Sequence, residues 1–210
     1  MKREEKSAQA RERILEAAMR EFSARGYDGA SLNTACQENG ISKGIVYHHF
    51  KDKNALYLRC VQSCFDALTA YLKDALSASH RSMVEKLQDY FDARLRFFAQ
   101  NPLYLGIFAD VVFRPPADLG VQITSCRKDF DTLSLSVLTD LLRGAPLREG
   151  FTVESTVEEF RLYMDFFNMR FKTALNQGRP PEIVLKEHEE RCHRQLDILL
   201  YGVMDQQHAK

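Results

Sequence analysis

The sequence predicts an all-α protein of about nine helices, a compact N-terminal head followed by a larger helical body. Three observations carry this. Apolar residues recur at three- and four-residue spacing almost throughout the 210 residues, the period of an amphipathic helix. No stretch alternates as a strand would. Gly and Pro interrupt the pattern at only a few places: Gly26-Tyr27-Asp28-Gly29, Gly40, Pro102, Arg114-Pro115-Pro116, Gly144-Ala145-Pro146 and Gly178-Arg179-Pro180-Pro181.

The elements follow from local signals. A first helix runs from about Ser7 to Arg25, with Ile14, Leu15, Ala18, Met19 and Phe22 as its apolar stripe and Gly26 at its C′ end. Ser31 caps a short second helix reaching Asn39, Gly40 turns the chain, and Ser42 caps a third, Lys43 to His49. Asp52 caps a long fourth helix from Lys53 to about Leu76. Ser82-Met83-Val84-Glu85 reads as a capping box for a helix to about Gln100. Asn101 before Pro102 opens another, to about Phe113. A helix from about Asp118 to Arg143 follows. Ser155-Thr156-Val157-Glu158 reads as a second capping box, for a helix ending near Gly178. The last helix runs from about Glu182 to Met204.

Composition narrows the class. The hydrophobic fraction of 45% and charged fraction of 28% are those of a globular protein. No apolar run is long enough for a membrane span, and the charged start, Met1-Lys2-Arg3-Glu4-Glu5-Lys6, leads into no signal-peptide core; a cytoplasmic location is expected. Net charge is zero, but residues 1–60 carry 11 Lys and Arg against 8 Asp and Glu, and the remainder 18 against 21. A mildly basic front on a mildly acidic body suits a nucleic-acid-reading module on a neutral scaffold. The five cysteines, Cys36, Cys60, Cys64, Cys126 and Cys192, include no C-x-x-C pair and predict no disulfide framework. Cys60 and Cys64, four residues apart, read as buried structural thiols, a redox pair being the alternative. His188 and Cys192 share that spacing, but no third ligand is in view, so no metal or other cofactor is expected.

The informative stretch is Ser31 to Leu56. Two short helices joined by a glycine turn are the helix-turn-helix layout, whose second helix enters the major groove. The run Gly40-Ile41-Ser42-Lys43-Gly44-Ile45-Val46-Tyr47-His48-His49-Phe50-Lys51-Asp52-Lys53-Asn54-Ala55-Leu56 closely resembles the TetR/AcrR family pattern G-V-S-K-G-T-L-Y-x-H-F-x-x-K-x-x-L. Upstream, Ile14-Leu15, Ala17-Ala18, Phe22 and Gly26-Tyr27 are similar to that family's first helix. The resemblance covers about residues 8–60; beyond them it is one of layout. In the second helix Ala35 stands where the family usually has an isoleucine, so a brace that is looser or packed differently is expected there.

The residues themselves suit DNA. Lys43 opens the recognition helix where a cation reaches a phosphate or a guanine edge. Gly44 allows close backbone approach. Ile45 can touch a thymine methyl, and Tyr47 and His48 can donate to phosphates. His49 is balanced between contact and core. Ser42 joins this row, Ser31 and Asn33 open the second helix, and Lys53 with the free N–H groups of the fourth helix can hold a phosphate. Val46, Phe50 and Leu56 are expected to face inward against Ile14, Ala18 and Phe22.

The resemblance implies a helix-turn-helix DNA-binding domain over 1–53 and an effector-binding and dimerisation domain over 54–210. The body is rich in aromatics. Phe91, Arg94, Phe98, Tyr104, Phe108, Phe113, Phe130, Tyr163, Phe167 and Asn168 are its candidate ligand contacts, a plain packed core being the bland alternative at each. Asp110 is a further candidate polar group, and the 114–120 loop a candidate gate. Phe160, Met164, Phe171, Leu185, Leu196, Leu199 and Leu200 are the candidate dimer interface. The expected function is a ligand-responsive regulator, a repressor first, that binds a palindromic operator in double-stranded DNA as a homodimer and is released by a small-molecule effector. An activator or ligand-independent DNA binder of the same fold is the alternative. No nucleophile elbow, phosphate loop or H-E-x-x-H motif suggests an enzyme.

Overall fold

The computed structural model describes residues 3–77 and 83–204. Among them are nine α-helices: α1 (Arg3–Gly29), α2 (Leu32–Glu38), α3 (Lys43–His49), α4 (Lys53–Ser77), α5 (Met83–Gln100), α6 (Pro102–Phe113), α7 (Gly120–Arg143), α8 (Val153–Asn176) and α9 (Pro181–Val203). A 3₁₀ turn, Ala117–Leu119, precedes α7. One isolated antiparallel bridge, Leu147 to Met204, is the sole extended pairing among the described residues.

Helix boundaries follow their caps. The Ser31 hydroxyl accepts from Thr34 N–H at 3.3 Å, the Ser42 hydroxyl from Ile45 N–H at 3.4 Å, and Asp52 Oδ1 from Ala55 N–H at 2.8 Å. Gly26 leaves helical geometry at φ 66°, and one further turn carries α1 to Gly29. Ser82 lies outside the described residues. Asn101 stands at the N-cap of α6 without a side-chain cap bond. The box opening α8 is not Ser155 with Glu158. Thr152 is the cap, and Ser155 occupies the reciprocal position. Three residues separate Thr152 from Ser155, so each hydroxyl reaches the other's backbone N–H.

The described residues form two compact units. The first is residues 1–67 with 101–128, the second residues 68–100 with 129–210. In the first, Ile14, Ala18, Phe22, Val46, Phe50 and Leu56 are buried together, which fixes α3 against α1. Helix α6 also packs on α1: a Cβ at Gly106 would lie 2.5 Å from the Ser23 carbonyl oxygen, so only glycine lets the two helices approach so closely. In the second unit α9 packs on both α5 and α8. Its buried stripe is Val184, Leu185, His188, Glu189, Cys192, Leu196, Leu200 and Val203.

Candidate nucleic-acid interface

The outer face of α3 is built by exclusion. Val46 turns inward and is buried, so its neighbours must turn out. Ser42, Lys43, Gly44, Ile45, Tyr47 and His48 are all exposed, Ile45 by 45% and Tyr47 by 58%. A Cβ at Gly44 would meet nothing within 4 Å, so that part of the helix is open to an approaching groove. His49 is half-buried and its ring contacts His48 edge-on at 5.1 Å. Asn33 is exposed on the first turn of α2, while Ser31 is half-buried. Ser31 is tied down twice, capping α2 and donating its N–H to buried Glu21 at 2.8 Å. At Ala35, where a small residue stands in the brace, a cavity of ≈ 10 Å³ is lined with Ile14, Leu32, Ile41 and Val46.

Lys53 opens α4 with its Nζ 4.6 Å from the centre of the Tyr27 ring. The Tyr27 hydroxyl donates to Asn54 Oδ1. The cation is thus held at the first turn of α4, beside the helix N-terminus, an arrangement suited to a phosphate.

Behind this face lies a buried carboxylate. Asp110, a candidate pocket group by sequence, instead turns to the end of α1. Its Oδ2 accepts from Tyr27 N–H at 2.9 Å and from the Tyr57 hydroxyl at 2.8 Å, and Arg114 stands 3.5 Å from Oδ1. Burial pushes the Asp110 pKa up, against the opposing pull of Tyr27, Tyr57 and Arg114.

The ten candidate ligand residues are divided. Tyr104, Phe108 and Phe113 belong to the first unit; Phe91, Arg94, Phe98, Phe130, Tyr163, Phe167 and Asn168 belong to the second. Several of the seven gather along one interior polar chain. The Tyr90 hydroxyl and Ser134 Oγ are 2.6 Å apart. Arg94 lies over the rings of Tyr90 and Phe130, at 5.5 and 5.4 Å, and donates to Glu189 Oε1 at 2.9 Å. His188 Nδ1 is 3.2 Å from the same oxygen, and its Nε2 is 2.8 Å from Asn168 Oδ1. Burial opposes both charges. Glu189 nevertheless holds the guanidinium above its ordinary pKa, and Arg94 with His188 holds Glu189 below its own. Glu189 Oε2 is buried without a hydrogen-bond partner. Sequence reasoning missed Glu189 because charged residues usually mark a solvated face; its place among Leu185, His188 and Cys192 at helical spacing was the available signal.

Other candidates take other places. Leu185, Leu196, Leu200 and Phe171 are buried within the single chain, so they cannot form an outward face. Phe160, Met164 and Leu199 are half-buried. The exposed apolar residues of α8 and α9 are instead Leu162, Phe166, Met169, Ile183, Ile198 and Tyr201. Burial pushes the Cys60 thiol up to about 12 and the Cys64 thiol up as well, the mark of structural rather than reactive cysteines. Cys192 packs its sulfur 3.5 Å from that of Met164, and no metal-holding group of three His, Cys, Asp or Glu exists among the described residues. No helix among them is long and apolar enough to cross a membrane.

Known proteins match this architecture. Residues 14–60 fit the family model described as bacterial regulatory proteins, tetR family. The chain is 27% identical over 172 residues to the biofilm operon icaADBC HTH-type negative transcriptional regulator IcaR of Staphylococcus aureus, covering 72% of this chain and 92% of IcaR. A TetR family transcriptional regulator from Chloroflexus aurantiacus superposes with TM-score 0.61 at 19% identity, covering 95% of each chain. FadR from Bacillus subtilis, solved in complex with stearoyl-CoA, superposes with TM-score 0.63 at 15% identity, covering 85% of this chain and 95% of that one. At these identities the solved structures bear on the fold alone.

Proposed function

We propose that the chain is a TetR-family regulator of bacterial transcription, a ligand-responsive repressor that binds a palindromic operator as a homodimer and leaves it when a small molecule binds. The observation that carries this reading is the exposed row Ser42, Lys43, Gly44, Ile45, Tyr47 and His48 on a helix locked from behind by Val46. Cations and donors on the row position it on phosphates, while Ile45 and the open Gly44 let it approach base edges. Asn33, Ser31, His49 and Lys53 flank the row and add backbone contacts. Residues 1–53 read DNA, in the cytoplasm where that DNA lies, and residues 54–210 bind the effector and pair two copies.

Repression is the sign favoured, because IcaR, the relative matched over most of both chains, is a negative regulator. We place effector recognition on the interior chain from Tyr90 and Arg94 through Glu189 and His188 to Asn168, with Phe91, Phe130, Tyr163 and Phe167 beside it. A ligand that separates Arg94 from Glu189 must supply a partner for the charge it strands. A ligand with different affinities for two arrangements shifts their populations, and with them DNA affinity.

The test is selection of bound duplexes from a random DNA pool at near-physiological salt and again at raised salt. A palindromic site whose binding weakens steeply with salt supports a dimeric, sequence-specific regulator and supplies the operator for an effector screen. No enrichment by a folded dimer would remove the reading.

A further inference from the structure

Lys53 is aimed by an aromatic platform. Its Nζ lies over the Tyr27 ring, and among the described residues no carboxylate forms an ion pair with it. An ammonium on a ring face keeps its N–H donors for an anion.

The platform is held at three points. The Tyr27 hydroxyl donates to Asn54, the residue after Lys53. The Tyr27 ring meets the Tyr57 ring edge-on, with centroids 4.9 Å apart. The Tyr27 N–H donates to Asp110 Oδ2 at 2.9 Å. Asp110 governs two of the three, because the same oxygen also takes the Tyr57 hydroxyl at 2.8 Å. Tyr57 cannot shift to compensate: it is fully buried, and its ring packs edge-on against Phe22 at 5.0 Å. Asp110 is fixed in turn by Arg114, 3.5 Å from Oδ1, and by the close approach of α6 to α1 at Gly106. A buried carboxylate is a costly way to close a core. What it supplies here is a fixed acceptor, one residue removed from the DNA-facing cation.

We infer that Asp110 is a positioning residue for DNA binding: acting through Tyr27, it holds Lys53 for an operator phosphate, so that α6 is a working part of the DNA-binding head. The inference rests on the proposed operator binding and extends the head beyond residues 1–53. Residues 101–128 belong to the same compact unit as residues 1–67.

The experiment uses the full chain and the selected operator. Fluorescence anisotropy over a salt series gives affinity and salt slope for wild type, Lys53→Met, Asp110→Ala and the double variant, at a temperature where circular dichroism shows each to be folded. Lys53→Met should lower the slope by about 1 for each copy bound and weaken binding about tenfold near 0.1 M salt. Asp110→Ala should lower the slope in the same direction, yet weaken binding by less than about twofold when Lys53 is already Met. A general loss of structure would act equally in both backgrounds. Asp110→Asn keeps an oxygen able to take the place of Oδ2 and should bind within about threefold of wild type. Tyr27→Leu keeps the backbone donor and loses the platform alone, so it should lower the slope as Asp110→Ala does, and it tests the same route should Asp110→Ala fail to fold. Equal losses from Asp110→Ala in both backgrounds, or a wild-type slope in Tyr27→Leu, overturn the inference and leave the regulator intact. A wild-type slope in Lys53→Met overturns it too, by taking Lys53 off the phosphate. A folded wild type that binds no DNA removes the proposed function and this inference together.

Discussion

The carboxylate of Asp110 accepts the backbone N–H of Tyr27, 83 residues earlier in the chain, at 2.9 Å. The bond exists because Gly26 takes φ 66° and turns that N–H out of the α1 ladder. A Cβ at Gly26 would lie 2.6 Å from Asp110 Oδ1. Gly26→Ala therefore incurs both backbone strain and a clash, and should destabilise the first unit by about 1–3 kcal/mol. Asp110→Ala removes the clash but leaves Tyr27 N–H and the Tyr57 hydroxyl unanswered. The double variant should lose less than the two single losses added together. Urea denaturation of the four proteins measures this, and strict additivity would show that the two residues do not share a site.

A second expectation concerns Arg94 and Glu189. Arg94→Met strands a buried carboxylate and should cost about 3–5 kcal/mol, whereas Arg94→Met with Glu189→Leu removes both charges and should recover most of it. The pH dependence has a definite sign. In the wild type the folded-state pKa of Glu189 is depressed below its ordinary 4.5, so its contribution is present above 4.5 and is lost as pH falls through the depressed value. In Arg94→Met burial dominates and that pKa rises. The variant should therefore recover stability as pH falls through the raised value, where the wild type at the same pH keeps its full stability at this site. Parallel stability curves for the two proteins between pH 3 and 8 would remove the pair from this role.

These two relationships also mark where the sequence stops being informative. The head was legible because its signals are local: Ser31 and Ser42 cap helices of seven residues, and Gly40 turns at φ 60°. Asp110 and Glu189 were not legible. Each is a charged residue whose distant partners, Tyr27 and Tyr57 for Asp110 and Arg94 for Glu189, come from other helices, and helical period alone cannot report them. The outward face of α9 was hidden for a related reason. The helix packs on both α5 and α8, so Leu185, Leu196 and Leu200 are consumed inside the chain. The outward face is left to the sparser Ile183, Ile198 and Tyr201. The start of α8 lies a few residues earlier than Ser155 suggests, because two hydroxyl residues three apart both belong to one box.

On the DNA face, Lys43→Ala with Tyr47→Ala should weaken operator binding at least a hundredfold without changing helix content, since both side chains are exposed and neither supports the core. Lys43→Ala alone should lower the slope of log affinity against log salt by about 1 for each phosphate that the lysine neutralises. Fluorescence anisotropy with the selected operator gives both numbers. Undiminished binding by the double variant would move the recognition surface off α3.

Ile45 makes the sharpest claim about sequence. It is the one apolar side chain on an otherwise polar row, 45% exposed, beside a glycine with open space around it. In the major groove its natural counterpart is the C5 methyl of thymine. Deoxyuridine differs from thymidine by that methyl alone and keeps every hydrogen bond. Substituting deoxyuridine for each operator thymine in turn should weaken wild-type binding at one position per half-site. Burial of a methyl is worth roughly 0.8 kcal/mol, so the effect should be about fourfold per half-site. Ile45→Ala should bind the thymine and deoxyuridine operators equally at that position while remaining sensitive to salt. If wild type tolerates every deoxyuridine, Ile45 contacts no methyl, and base choice must rest on Lys43, His48 and the shape of the groove.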